Sequence, residues 1–233
     1  MRHRFIPACA AFLAFAAPVF AQSEDAVVVE LFTSQGCVSC PPADAILGKI
    51  DATAGVIALS LHVDYWDYLG WKDKFASPQF TARQKAYARH AREKMVYTPQ
   101  VVVQGQARLI GNRGPEVEAA VNAQLKKAGR NGLQLDRQGD RVLITAAPVL
   151  GATGPIHVQL VRFSPSESVK IERGENAGKT ITYHNVVKSW QILTDWNGTS
   201  PLSIEAAAPG GAPLVVILQA TGPAEILSAD VLR

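Results

Sequence analysis

The stretch from Ala26 to Val63 constrains the fold most, because its grammar changes twice. Val27 to Phe32 (VVVELF) is apolar and β-branched, Ala43 to Ile50 (ADAILGKI) has helical spacing, and Gly55 to Val63 (GVIALSLHV) is strand-like again. A strand, a short helix and a strand form a βαβ unit, the signature of an α/β domain. Between the first strand and the helix lies FTSQGCVSCPPAD, Phe32 to Asp44, which carries Cys37 and Cys40. Three uses of that pair have to be weighed: a redox couple, a metal clip or a structural disulfide.

The α/β grammar continues to Lys127. Ser77-Pro78 opens a second helix, SPQFTARQKAYARHAREK, with Ser77 as N-cap and Pro78 at the first helical position. Phe80, Tyr87 and Ala91 share one face, while Arg83, Lys85, Arg89 and Arg92 fall mostly elsewhere and read as a solvated side. YTPQVVVQGQARLIG reads as two strands joined at Gln104-Gly105-Gln106, and PEVEAAVNAQLKKAG as a helix ended by Gly129. Past the linker GRNG (129–132) the runs become short and β-type: RVLITAA, HVQLVRF, SVKIE, KTITYHNVVKSWQIL, PLSIEA and APLVVILQA. Asp195-Trp196-Asn197-Gly198 reads as a hairpin turn. The expected organisation is an α/β domain over 22–129 and a small all-β sandwich-like domain over 130–233.

The first 21 residues read as a signal peptide: Arg2 and Arg4, an apolar run, then Val19-Phe20-Ala21 as the cleavage pattern. That run, broken by Pro7 and Pro18, falls short of the roughly 20 residues a membrane-spanning helix needs. Export to the periplasm or outside the cell is the expectation, with no integral membrane segment after cleavage. Cleavage removes Arg2 and Arg4 and leaves 21 basic against 20 acidic residues, a net charge of +1 that gives nucleic acid no footing. It also removes Cys9, so Cys37 and Cys40 are the only cysteines of the mature chain. A scaffold stapled by disulfides would need more, and about 212 residues bury a real core without them.

Two cysteines three apart at a helix start close a small disulfide ring with little backbone movement. The free N–H groups and partial positive charge of the helix N-terminus favour a thiolate there. In such a pair the first cysteine attacks and the second resolves, which assigns Cys37 as nucleophile and Cys40 as resolver. Pro41 and Pro42 start the helix at Pro41 and reduce the donors aimed at Cys37.

A strand, a Gly-containing turn, CxxC and a helix resemble the opening unit of thioredoxin-like domains, and Tyr97-Thr98-Pro99 before a later strand is similar to the cis-proline motif of that superfamily. The resemblance covers residues 26–128, with Pro78 to Lys94 as a helical insertion. It implies that Thr98 and Pro99 bind the backbone of a substrate, that no cofactor is required, and that the partners are protein thiols or disulfides and a redox partner. The superfamily's buried carboxylate, six residues before the first cysteine, falls on Leu31 here; Glu30 becomes the candidate proton acceptor for Cys40 if the turn is one residue longer. VELFTSQGCVSCPPAD and RGENAGKTITYHNVVKSW together also resemble a secreted bacterial family, the domain of unknown function 1223, over nearly the whole mature chain. That second resemblance implies the same fold and a periplasmic setting, and no activity.

The remaining motifs carry less. Two thiolates could hold Cu(I), or Zn(II) with help from His62 or Asp64, which keeps open a periplasmic metal-binding protein or metallochaperone using Cys37, Cys40 and His62. A static disulfide in a non-catalytic interaction protein is the third reading. HVDYWDYLGWKDKF (His62 to Phe75) is dense in aromatics; Trp66 either lines a substrate groove or, with Trp71, anchors the second helix. GENAGKT (174–180) has too few residues between its glycine and GK for a phosphate loop and reads as a Gly-rich hairpin turn. His157 and His184 stand isolated. The sequence thus points to an exported thiol–disulfide oxidoreductase, with Cys37, Cys40 and Glu30 catalytic and Thr98, Pro99 and Trp66 on the substrate side.

Overall fold

The computed structural model describes residues 26–127, 132–149, 151–152 and 154–233. The signal peptide expected over residues 1–21, the helix stop expected at Gly129 and the first three residues of the GRNG linker lie outside the described residues.

The βαβ unit forms as read: β1 (Val27–Thr33), α1 (Pro41–Ile50) and β2 (Val56–His62), with β1 and β2 parallel. Pro41 and Pro42 occupy the first two positions of α1, behind Cys40 as N-cap. In α2 (Pro78–His90) the Ser77 hydroxyl accepts from the Gln79 N–H at 3.2 Å, the capping bond its sequence promised. β3 (Gln100–Val103) and β4 (Ala107–Ile110) form the hairpin at 104–106, and α3 (Gly114–Leu125) follows.

The second half contributes β5 (Gln134–Gln138), β6 (Arg141–Ala146), β7 (Ile156–Lys170), β8 (Thr180–Trp196), β9 (Leu202–Ala207), β10 (Leu214–Ala220) and β11 (Ile226–Leu232). The β-type runs of the sequence correspond to β6 to β10, whereas β5 and β11 have no counterpart among them. HVQLVRF and SVKIE belong to one long strand, β7, and β8 runs 17 residues beside it. The larger departure is topological. Eight strands form one mixed sheet in the order β11-β10-β7-β8-β2-β1-β3-β4, so both halves share a sheet through the parallel contact of β2 with β8, Ser60 opposite Val186. Asp195 to Gly198 is not a hairpin turn, because β8 and β9 lie in different sheets; the chain crosses there to the small antiparallel sheet β5-β6-β9.

Alternation along the strands explains the layers. Val27, Val29 and Leu31 of β1 pack under α1 and α3, while Val28 and Phe32 face the opposite side with Phe80 and Tyr87 of α2. On the β-rich half the same duality holds. Val161, Phe163, Val215 and Ile217 join the α2 side, and Val158, Leu160, Val216 and Leu218 pack on Val142, Ile144, Leu202 and Ala206 of the small sheet. The sandwich expected of the second half therefore exists as this local two-sheet packing, with one of its sheets extending across the whole protein.

Candidate functional site

Cys37 and Cys40 are joined in a disulfide at the C-terminal end of β1 and the N-terminus of α1. Both cysteines are buried, whereas Val38 and Ser39 between them are exposed. The turn is built by local bonds: Cys37 N–H to Ser34 O at 3.1 Å, Cys40 N–H to Cys37 O at 3.2 Å, and Gly36 N–H to the Ser34 hydroxyl at 3.1 Å. It is also gripped from a distance. Asn176, fully buried in the β7–β8 connection, donates its side-chain amide to Gln35 O (3.0 Å) and Cys37 O (2.9 Å), and Lys179 Nζ donates to Asn176 Oδ1 at 2.8 Å. GENAGKT is thus a hairpin connection, and it also clamps the CxxC turn.

Thr98-Pro99 is a cis peptide. A Cβ placed on Gly111 would meet Pro99, Ala43 and Leu31 at 3.1 to 3.2 Å, so Pro99 lies against the first turn of α1. Trp66 joins this group: its indole N–H donates to the Thr98 hydroxyl at 2.7 Å, and a Cβ on Gly36 would come within 3.2 Å of it. Trp71 donates to Gln35 Oε1 at 2.8 Å. Both tryptophans therefore brace the loops around the disulfide. The rim is apolar. Three of the five exposed large apolar side chains among the described residues border it: Val38 sits between the cysteines, Tyr68 stacks on Trp66, and Ile110 pairs with Gln100, the strand residue that follows Pro99.

Beneath the disulfide lies a buried polar cluster. His62 Nδ1 is 2.6 Å from Asp73 Oδ2; the same carboxylate oxygen accepts from the Gln35 N–H at 2.8 Å, and Asp73 Oδ1 accepts from the Phe75 N–H at 2.8 Å. Asp44 is one helical turn beyond Cys40 and only 3 % exposed. Asp44 Oδ1 and Oδ2, Thr33 Oγ1, Ser60 Oγ, His62 Nε2 and the Tyr183 hydroxyl have no hydrogen-bond partner among the described residues. Burial pushes the Asp44 carboxyl up to about 7; the charge of His62 and the nearby Thr33 hydroxyl, which falls short of hydrogen-bond geometry, act in the other direction, and Asp73 adds to the rise. Burial, reinforced by Asp44 and Asp73, also raises the Tyr183 phenol.

Asp44 was not singled out from the sequence, although the signal was present. A carboxylate four residues after Cys40 and three before Leu47 falls on the buried side of an apolar helix. Glu30, singled out instead, serves elsewhere. It is fully buried on the α2 side of β1, where Arg83 Nε and Nη2 donate to its two oxygens and the Tyr87 hydroxyl donates to Oε2. Strand alternation sends residue 30 to the opposite face from α1, so its carboxylate is committed to Arg83 rather than to Cys40. Arg83 is correspondingly not on a solvated face. Among the described residues no three His, Cys, Asp or Glu side chains are grouped as metal ligands, and no helix is long and apolar enough to cross a membrane. His62, named with the two cysteines as a ligand set, has its Nδ1 taken by Asp73.

Residues 28–219 match the family described as "Protein of unknown function (DUF1223)". The crystal structure of protein AGR_C_4864 from Agrobacterium tumefaciens is similar at 34% identity and a TM-score of 0.76, over 91% of this chain and 96% of that one. HBP35 of Porphyromonas gingivalis shares the fold at 16% identity and a TM-score of 0.58, over 90% of this chain and 75% of that one. No curated protein matches the chain.

Proposed function

This chain belongs to the DUF1223 family, a family of unknown function, and from its disulfide site we propose that it is an exported thiol–disulfide oxidoreductase acting on proteins. Residues 26–128 would be its thioredoxin-like unit, with α2 as the helical insertion, and the N-terminal 21 residues would direct export to the periplasm or beyond. The observation that carries the reading is the setting of the Cys37–Cys40 disulfide: at a helix N-terminus, beside Pro99, inside a rim of exposed Val38, Tyr68 and Ile110. An inert structural disulfide has no need of an apolar rim open to solvent, whereas a polypeptide substrate does.

The chemistry balances within the site. In the reducing direction the Cys37 thiolate attacks one sulfur of a substrate disulfide; that bond breaks, a substrate thiolate leaves, and a mixed disulfide forms. Cys40 then loses its thiol proton and attacks Cys37 Sγ, which releases the second substrate thiolate and closes the Cys37–Cys40 bond. Asp44 is the acceptor for that proton, since a carboxyl with a pKa of about 7 takes up and gives back a proton near neutral pH. The oxidising direction is the reverse, and a redox partner resets the pair. Thr98, Pro99 and Trp66 form the substrate side.

Equilibration with glutathione tests this reading. A reduction potential between about −120 and −270 mV places the pair among exchange catalysts, and one below about −300 mV belongs to a structural disulfide and overturns it.

Asp44 has its own readout in stability. Between about pH 4 and pH 7 its carboxyl stays protonated in the folded protein and is ionised in the unfolded chain, so unfolding releases a proton and stability declines as pH rises through that window. The slope is up to about 1.4 kcal/mol per pH unit. Asp44→Asn removes the ionisable group facing His62, Asp73 and Tyr183. The variant should gain on the wild type from pH 4 to pH 7 in thermal unfolding; parallel curves would show that Asp44 keeps an ordinary carboxyl.

A further inference from the structure

Away from the disulfide, on the α2 side of the sheet, a cleft of about 540 Å³ opens between α2 and strands β7, β8 and β10. Its size falls within the range of small-molecule sites. Phe80 and Trp190 supply apolar floor, Ala86, Ile192 and Pro223 the walls, and the Arg83 guanidinium one polar end.

That guanidinium is fixed. It packs over the Trp190 ring at 3.8 Å, its Nε and Nη2 engage Glu30, and Nη2 also donates to the Tyr87 hydroxyl and Gln219 Oε1, both at 3.0 Å. The backing is itself tied down: Gln219 Nε2 donates to the Tyr87 hydroxyl, Gln159 Nε2 to Gln219 Oε1, and Trp190 Nε1 to Gln159 Oε1. Only Nη1 lacks a hydrogen-bond partner among the described residues, and Arg83, whose side chain is 11 % exposed, lines the cleft. Glu30, on the edge of the fork opposite Nη1, has both oxygens occupied. The network thus presents one pre-positioned, charge-assisted donor with two free N–H groups at the end of an apolar cleft.

We propose that this cleft binds a small apolar carboxylic acid, its carboxylate on Arg83 Nη1 and its hydrocarbon body against Phe80, Trp190 and Ile192. The apolar surface rewards burial of a hydrocarbon, and a guanidinium nitrogen matches a carboxylate oxygen better than a neutral group. The site is independent of the disulfide chemistry and would stand if that reading failed.

Calorimetric titration of the full mature chain with octanoate, and with octanamide as the neutral isostere, tests it. The expected result is one saturable site per chain for octanoate and binding of octanamide weaker by roughly ten-fold or more, the worth of a charged hydrogen bond. Ala86→Trp should fill the cleft and abolish binding. Ile192→Glu, at a position 54 % exposed and therefore harmless to folding, should weaken octanoate at least ten-fold by placing like charge at the rim. Absence of saturable binding overturns the proposal, as do equal affinity for the amide or wild-type affinity in Ile192→Glu.

Discussion

Cys37→Ser is expected to abolish disulfide exchange, while Cys40→Ser should stop it after one step. On the proposed mechanism the first variant has no attacking sulfur. The second keeps the nucleophile but loses the thiol that releases the substrate, so mixed disulfides should accumulate on Cys37 in cells and be resolved on non-reducing gels. With a model disulfide substrate, turnover in either variant should fall by three orders of magnitude or more, on the order of the losses seen when a covalent nucleophile is removed. Turnover by Cys37→Ser at a rate near wild type would end the assignment. Accumulation on Cys40 in Cys37→Ser, with none on Cys37 in Cys40→Ser, would reverse the two roles. The rim around the pair predicts the captured species: extended polypeptides with apolar side chains near the reacting cysteine, able to lie on Val38, Tyr68 and Ile110.

The second large effect concerns stability. Glu30 is wholly buried, and the Arg83 side chain is 11% exposed. Arg83→Ala leaves the Glu30 charge with only the Tyr87 hydroxyl, and Glu30→Ala strands the guanidinium; each should cost about 3–5 kcal/mol in denaturant unfolding. Removing both charges together, as Glu30→Gln with Arg83→Met, should cost clearly less than the two single losses combined, because the penalty comes from the uncompensated charge. Single losses below about 1 kcal/mol would mean that the pair is hydrated in solution and behaves like a surface ion pair.

Local grammar was readable wherever periodicity and punctuation agreed. VVVELF, the two prolines after Cys40, Ser77-Pro78 and the 104–106 turn each specify their element through contacts within a few residues, and each formed where expected. The disulfide pair, His62 and Trp66 were visible as chemistry-bearing types, and the structure brings them to one end of the sheet. What was not legible depends on long-range pairing. Nothing in KTITYHNVVKSWQIL announces that Val186 will sit beside Ser60, nor that Asn176 will reach Cys37 O across 139 residues of chain. The Glu30 assignment failed for a related reason. Position before the cysteines was allowed to outweigh strand parity, which sends residue 30 to the side of α2, while the buried carboxylate on the α1 side is Asp44 of the helix itself.

The shared sheet has a consequence for how the chain is made. β2 finds its neighbour on one side at once, in β1, but its other edge waits for β8, from Ser60 to Val186. At ribosomal speeds that interval of more than a hundred residues lasts on the order of ten seconds. Throughout it the nascent chain carries an unpaired edge on a strand that is wholly buried in the finished fold, an edge of the kind that templates misassociation, so the newborn protein is most in need of a chaperone in the window between the emergence of its first half and the arrival of its eighth strand.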